Sequence, residues 1–152
     1  MKSTAAKLTP LLVLLLAVAF FTLKPDSGNH VIVRDQESGS VFYEDTLADG
    51  TTFDLTWIHS IELEPWRETY RIDDGKIFLT DVYLKAYGAG APTELEGTTT
   101  IEDGIIHTSH IDREIPQLNW IHSHATQHKV EINGITISRE IPHHTFAELV
   151  ID

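Results

Sequence analysis

The six residues Leu55-Thr56-Trp57-Ile58-His59-Ser60 recur, with one change, as Leu118-Asn119-Trp120-Ile121-His122-Ser123. Each copy is followed by an alternating apolar segment and a two-residue turn. In the first, Tyr70 and Ile72 precede Asp74-Gly75; in the second, Val130 and Ile132 precede Asn133-Gly134. Asp-Gly or Asn-Gly between alternating apolar residues is a strong local signal for a β-hairpin. A strand–loop–strand–turn–strand pattern met twice in 152 residues predicts an all-β fold with an internal duplication.

The rest of the chain agrees. Short β-type runs recur between turn signals: Val31 to Val33, Val41 to Tyr43, Phe53 to Ser60, Glu68 to Ile72 and Lys76 to Leu84. Thr98 to Ile101 and Ile105 to Ile111 flank Glu102-Asp103-Gly104 as another hairpin. Leu118 to His124, His128 to Ile132 and Ile135 to Ile141 follow, and Phe146 to Ile151 is placed to close the sheet. No segment past residue 30 keeps a 3.6-residue apolar period, so the expected architecture is a mainly antiparallel sandwich or barrel. Residues 31–152 form one β domain, since a chain of this length with 41% hydrophobic residues supplies one ordinary core. There is no cysteine, so no disulfide framework contributes.

Residues 1–23 stand apart. Lys2 and Lys7 precede an uncharged apolar run from Leu8 to Leu23, the layout of an export signal peptide or membrane anchor. Ala17-Val18-Ala19 offers a small-x-small cleavage site, and Phe20-Phe21 beyond it fits retention as an anchor. Residues 24–30 are polar and turn-rich and read as a tether. The expected address is therefore the outer face of the cytoplasmic membrane, tethered or secreted. The net charge of −12, more acidic still without the two leading lysines, excludes nucleic acid as a partner.

Alternate residues of a strand share a face. Phe53, Leu55 and Trp57 point one way and His59 continues the row; Leu118 and Trp120 do likewise, with His122 and His124 beyond them. Aligning the two turns places Glu68 against His128, so a pseudo-two-fold brings His59, Glu68, His122, His124 and His128 towards one place. Such a cluster suits a small acidic ligand, with imidazoles and Ser60 or Ser123 as donors. It also suits a divalent transition metal such as zinc, held by His59, His122, His124 and His128. The same histidines equally fit satisfied groups at the edge of a core. Glu62, Glu64 and Glu68 are spaced for hydrolase chemistry with paired carboxylates, although Leu63 and Pro65 imply a loop there. His107 with His110, and His143 with His144, diverge if they lie on strands. Pro65-Trp66 reads as an exposed aromatic on a loop, or as a cover for the core. Gly88 and Gly90, closed by Pro92, permit a backbone nest for an anion.

His59-Ser60, Glu62, Pro65-Trp66 and Glu68, with Tyr87-Gly88-Ala89-Gly90-Ala91-Pro92 after the hairpin, resemble a bacterial domain-of-unknown-function family of small exported proteins. Members of that family are encoded beside TRAP transporters of the TAXI type. The resemblance implies an extracytoplasmic binding or accessory protein for organic-acid uptake. It implies partners among the transporter's membrane subunits or its substrate-binding protein, and it carries over no known activity; neither enzymatic activity nor a cofactor is expected, zinc at the histidines being the alternative. The expected working surface comprises His59, Ser60, Glu62, Glu68, Tyr87, Gly88, Gly90 and Pro92.

Overall fold

The computed structural model describes residues 28–85 and 96–152, and every regular element in them is a β-strand. The strands are β1 (Asn29–Asp35), β2 (Val41–Leu47), β3 (Thr52–Ile58), β4 (Pro65–Asp73), β5 (Lys76–Leu84) and β6 (Thr98–Glu102). They continue with β7 (Ile105–Ser109), β8 (Arg113–Ile115), β9 (Leu118–His122), β10 (Lys129–Ile132), β11 (Ile135–Thr136) and β12 (Thr145–Ile151). All pairings are antiparallel. One sheet has the order β2-β1-β12-β9; the other runs β11-β10-β3-β4-β5-β7-β6, with β8 on β5. No helix among the described residues is long and apolar enough to cross a membrane. The expected signal or anchor at residues 1–23 lies outside the described residues.

The turns form where the dipeptides placed them. Asp74-Gly75, Asp103-Gly104 and Asn133-Gly134 all have both residues at φ between 50° and 76°. That pair of positive φ values matches the right-handed strand twist of a two-residue hairpin. Alternation then sorts side chains. Phe53 and Leu55 of β3, Trp66, Tyr70 and Ile72 of β4, and Val130 and Ile132 of β10 are buried from one sheet. Val31, Val33, Leu118, Trp120, Ala147 and Leu149 are buried from the other. In β5 the inward residues are Ile77 and Leu79, then Val82 and Leu84. The change of parity follows from a bulge, where Thr69 pairs Asp81 but Tyr70 pairs Leu79. Thr80, the extra residue, donates its hydroxyl to the Thr69 carbonyl at 3.1 Å.

Three expectations need correction. The repeated hexapeptide does not mark two equivalent halves. β3 turns back onto β4 in its own sheet, whereas β9 and β10 lie in different sheets. β9 adds to β12, and β10 adds to the free edge of β3, with Val130 opposite Leu55. The second copy thus completes the first rather than repeating it. Only Ile135–Thr136 of the run Ile135 to Ile141 is a strand. Ser138 turns in, and its hydroxyl accepts the Val130 amide at 3.0 Å; Pro142 then has no N–H to offer a ladder. Finally, β8 is a strand that the sequence pattern left unmarked, too short at Arg113–Ile115 to present an alternation.

Candidate functional site

Antiparallel pairing sets the ends of β3, β5 and β9 and the starts of β4, β10 and β12 at one pole of the sandwich. Trp57 pairs Trp66, Trp66 pairs Leu84, Thr56 pairs Lys129 and His122 pairs Thr145. The histidines and two tryptophans collect there as a file of rings. His59 stacks on Trp66 at 5.7 Å between centroids, Trp66 on Trp57 at 5.3 Å, and Trp57 on His128 at 5.7 Å. His128 lies 6.2 Å from His122, His122 lies 5.4 Å from His124, and His124 lies 5.4 Å from His143. His143 and His144 end the file with rings 3.7 Å apart. These two do not diverge as strand neighbours would. They sit in the turn before β12, with His144 at φ 67°, which brings adjacent side chains to one side.

The file joins the two hexapeptide copies, but two tryptophans and His128 stand between His59 and His122. His59 is half-buried and locked into its hairpin: its amide donates to the Glu64 carbonyl at 2.9 Å and its carbonyl accepts the Leu63 amide at 2.8 Å. Its Nδ1 accepts the Glu62 amide at 3.3 Å, so in the neutral ring Nε2 carries the hydrogen. Ser60 is exposed on the same turn. Trp66 is buried in β4 and only 8% exposed, so it is the cover for the core and not an exposed loop aromatic.

Glu68 lies on the inner face of β4, between Trp66 and Tyr70. Its carboxylate accepts Trp66 Nε1–H at 3.2 Å and the Tyr70 hydroxyl. Burial raises its pKa, against the pull of those two donors and the charge of Arg113. Burial, and then the Glu68 carboxylate, likewise raise that of Tyr70. Glu62 and Glu64 instead belong to the outer turn, Glu64 paired with Lys85 at 3.2 Å. The three carboxylates therefore serve separate environments. Tyr87, Gly88, Gly90 and Pro92 lie outside the described residues, which break off at Lys85 beside this turn.

At the other end of the file, His122 is 2% exposed and its Nδ1 accepts Trp120 Nε1–H at 3.3 Å. Burial, aided by His128, His124 and His143, pushes its pKa down to about 4. Burial also lowers that of His128, whose Nδ1 meets the Thr126 hydroxyl at 2.8 Å. His124 is exposed; its Nε2 donates to the Ile141 carbonyl at 3.0 Å, and its amide donates to Nδ1 of His143 at 3.0 Å. His122, His124 and His128 are thus brought together, while His59 is not with them. Among the described residues, no three His, Asp or Glu side chains are disposed to hold one metal ion. What the pole offers is a row of flat rings with imidazole N–H and N groups, suited to stacking and hydrogen bonding.

Sequence reasoning missed a second group, on the outer face of the larger sheet. Arg67, Tyr83 and His107 align across β4, β5 and β7 by register. The Arg67 guanidinium lies 3.7 Å over the Tyr83 ring, and His107 stacks on that ring at 4.1 Å. Asp81 holds His107 Nε2 at 2.8 Å. No spacing in the sequence announced it, because the three residues meet only through strand order.

The family described as a domain of unknown function (DUF1850) matches residues 53–138, more than half of the sequence, and the chain belongs to that family. No curated protein and no solved structure matches the chain.

Proposed function

With membership of that family as the premise, we propose that the chain is a binding module: an extracytoplasmic accessory protein of a TRAP-type (TAXI) organic-acid transporter, not an enzyme. In this reading residues 1–23 hold it to the membrane or direct its export. The observation that carries the proposal is the position of the ring file relative to the chain's entry. β1 begins at Asn29, whose side chain accepts the Gly75 amide at 2.8 Å at the β4–β5 turn. That turn is the pole opposite His59 and His122, about 27 Å away along the nine residues of β4. A domain tethered through the segment before Asn29, where β1 starts two residues earlier than the expected domain boundary, then holds its histidine and tryptophan rings away from the membrane, towards a soluble partner or the outer surface of a transporter subunit.

The test is co-purification of the full chain with the transporter's membrane subunits and substrate-binding protein, expressed together. The expected result is a stable association weakened by replacing the exposed His124 and His143 with alanine. Association unaffected by both replacements would refute the assignment to this pole, and its absence, or a cytoplasmic location of the chain, would refute the reading as a whole. The runner-up is a divalent-metal site at the histidines: His122, His124 and His128 are neighbours, but no three His, Asp or Glu side chains among the described residues are disposed to hold one ion. A stoichiometric ion on untagged protein, lost in His122→Ala, would favour it over the accessory role. A hydrolase using Glu62, Glu64 and Glu68 draws least support, since Glu68 faces inward and the other two lie on the turn.

A further inference from the structure

The structure points to a binding site for a small monocarboxylate with an apolar body, on the outer face of the larger sheet at Arg67. This inference is independent of the transporter reading, because it needs no partner protein. By the register of β4, β5 and β7, Arg67, Tyr83 and His107 form one outward row, and Pro65, Lys85 and Ile105 each stand two residues from it along the chain, towards the pole of His59. Around them is a hollow of about 270 Å³, lined by Arg67 and Lys85 together with Pro65, Trp66, Tyr83, Leu84 and Ile105. Its wall is mostly hydrocarbon and aromatic ring, and its size is that of a small ligand.

The charge at its edge is what selects the occupant. The chain carries 23 acidic side chains against 11 basic ones, so cations have carboxylates in excess. Arg34, Arg71, Lys76, Lys85 and Lys129 each have one. The Arg67 side chain has neither a hydrogen bond nor an ion pair with any described residue; among them its guanidinium is held by the Tyr83 face. Asp81, the acidic group in the next outward row, is already engaged by His107. Tyr83 is fixed in turn between Arg67 and His107, because β5 runs between β4 and β7. The result is a pre-oriented fork of N–H donors beside an apolar hollow. A guanidinium in that state matches a carboxylate with two parallel hydrogen bonds, while the ligand's hydrocarbon covers Ile105 and Pro65.

The test uses the full chain titrated with benzoate, and with benzyl alcohol as the neutral probe of similar shape. Binding is followed by tryptophan fluorescence, which Trp66 reports from the hollow, and by backbone amide shifts of Arg67, Tyr83 and Ile105. The expected result is saturable benzoate binding, little response to benzyl alcohol, and at least about a tenfold loss of affinity in Arg67→Gln. Arg67→Lys, which keeps the charge without the fork, should fall between the two. Equal binding of both probes, an unchanged affinity in Arg67→Gln, or no benzoate binding into the millimolar range would each overturn the proposal. Because these are exposed positions, the variants' unfolding midpoints should match the parent's, which separates loss of ligand from loss of fold.

Discussion

His122 ties the stability of the fold to pH. Its ring is buried between the sheets, accepts a hydrogen bond from Trp120, and has His124 and His128 against it, with His143 one ring further on. An unfolded histidine titrates near 6.5, while His122 in the folded chain is pushed down to about 4. Above 6.5 neither state takes the proton and the shift costs nothing. As pH falls from 6.5 towards 4 the unfolded chain binds a proton that the folded chain refuses, and stability is lost. The whole difference corresponds to roughly 3 kcal/mol, of which about 2 kcal/mol is lost between pH 7 and pH 5. His128, lowered in the same direction, adds to the loss. Glu68, raised by burial, acts in the opposite sense, since its contribution falls as pH rises through its own titration. His122→Gln isolates the imidazole, because the amide oxygen can still accept from Trp120. Urea unfolding followed by the three tryptophans, at about pH 7 and pH 5, gives both stabilities. The parent should lose about 2 kcal/mol more than the variant over that interval. Equal losses would refute the assignment of the penalty to His122.

Glu68→Gln should gain stability relative to the parent as pH rises from about 4 to 7, because the neutral amide is spared the burial that raises the carboxyl; a pH-independent difference in chemical denaturation would count against that cause. Phe53→Ala removes a 2%-exposed ring stacked on Tyr70 at 5.1 Å, and should cost about 3–5 kcal/mol in unfolding free energy. Gly97→Ala places a Cβ 2.4 Å from the Ser109 carbonyl oxygen at φ +131°, and should cost roughly 2 kcal/mol or more. Gly39→Ala, with open space around it at φ +71°, should cost about 1 kcal/mol, so matching midpoint shifts for the two glycine variants would contradict the steric account.

The fold class was legible because it rests on period and turn chemistry, both local. Asp74-Gly75, Asp103-Gly104 and Asn133-Gly134 became tight hairpin turns, and Phe53-Leu55 and Leu118-Trp120 became inward rows. What could not be read was which strands become neighbours. Nothing in the alternation of Val130 and Ile132 says that β10 leaves β9 and takes the edge of β3. Trp66 illustrates the same limit. A tryptophan after a proline reads equally as loop or strand, and only the pairing of Trp57 with Trp66 buries it. The Arg67–Tyr83–His107 stack is further still from the sequence, since its members lie on β4, β5 and β7, with β6 intervening in the chain.

The repeated hexapeptide is best understood as a rule for building one pole. In either copy the alternation buries leucine, carries tryptophan towards the strand end, and sets histidine at or just past that end. This holds in β3 of one sheet and in β9 of the other, although the partners differ. Because β10 descends beside β3, its first turn delivers His128 against Trp57, and His128 in turn reaches His122. The two ends are therefore coupled through a ring that belongs to neither copy. A true duplication would have placed His59 and His122 symmetrically, each with its own hairpin partner. Instead their settings are unlike: His59 is half-buried beside the turn of Glu62, whereas His122 is enclosed and resists protonation. Repetition of sequence has thus produced two chemically distinct imidazoles in one file of rings, one partly open to solvent, the other committed to the core.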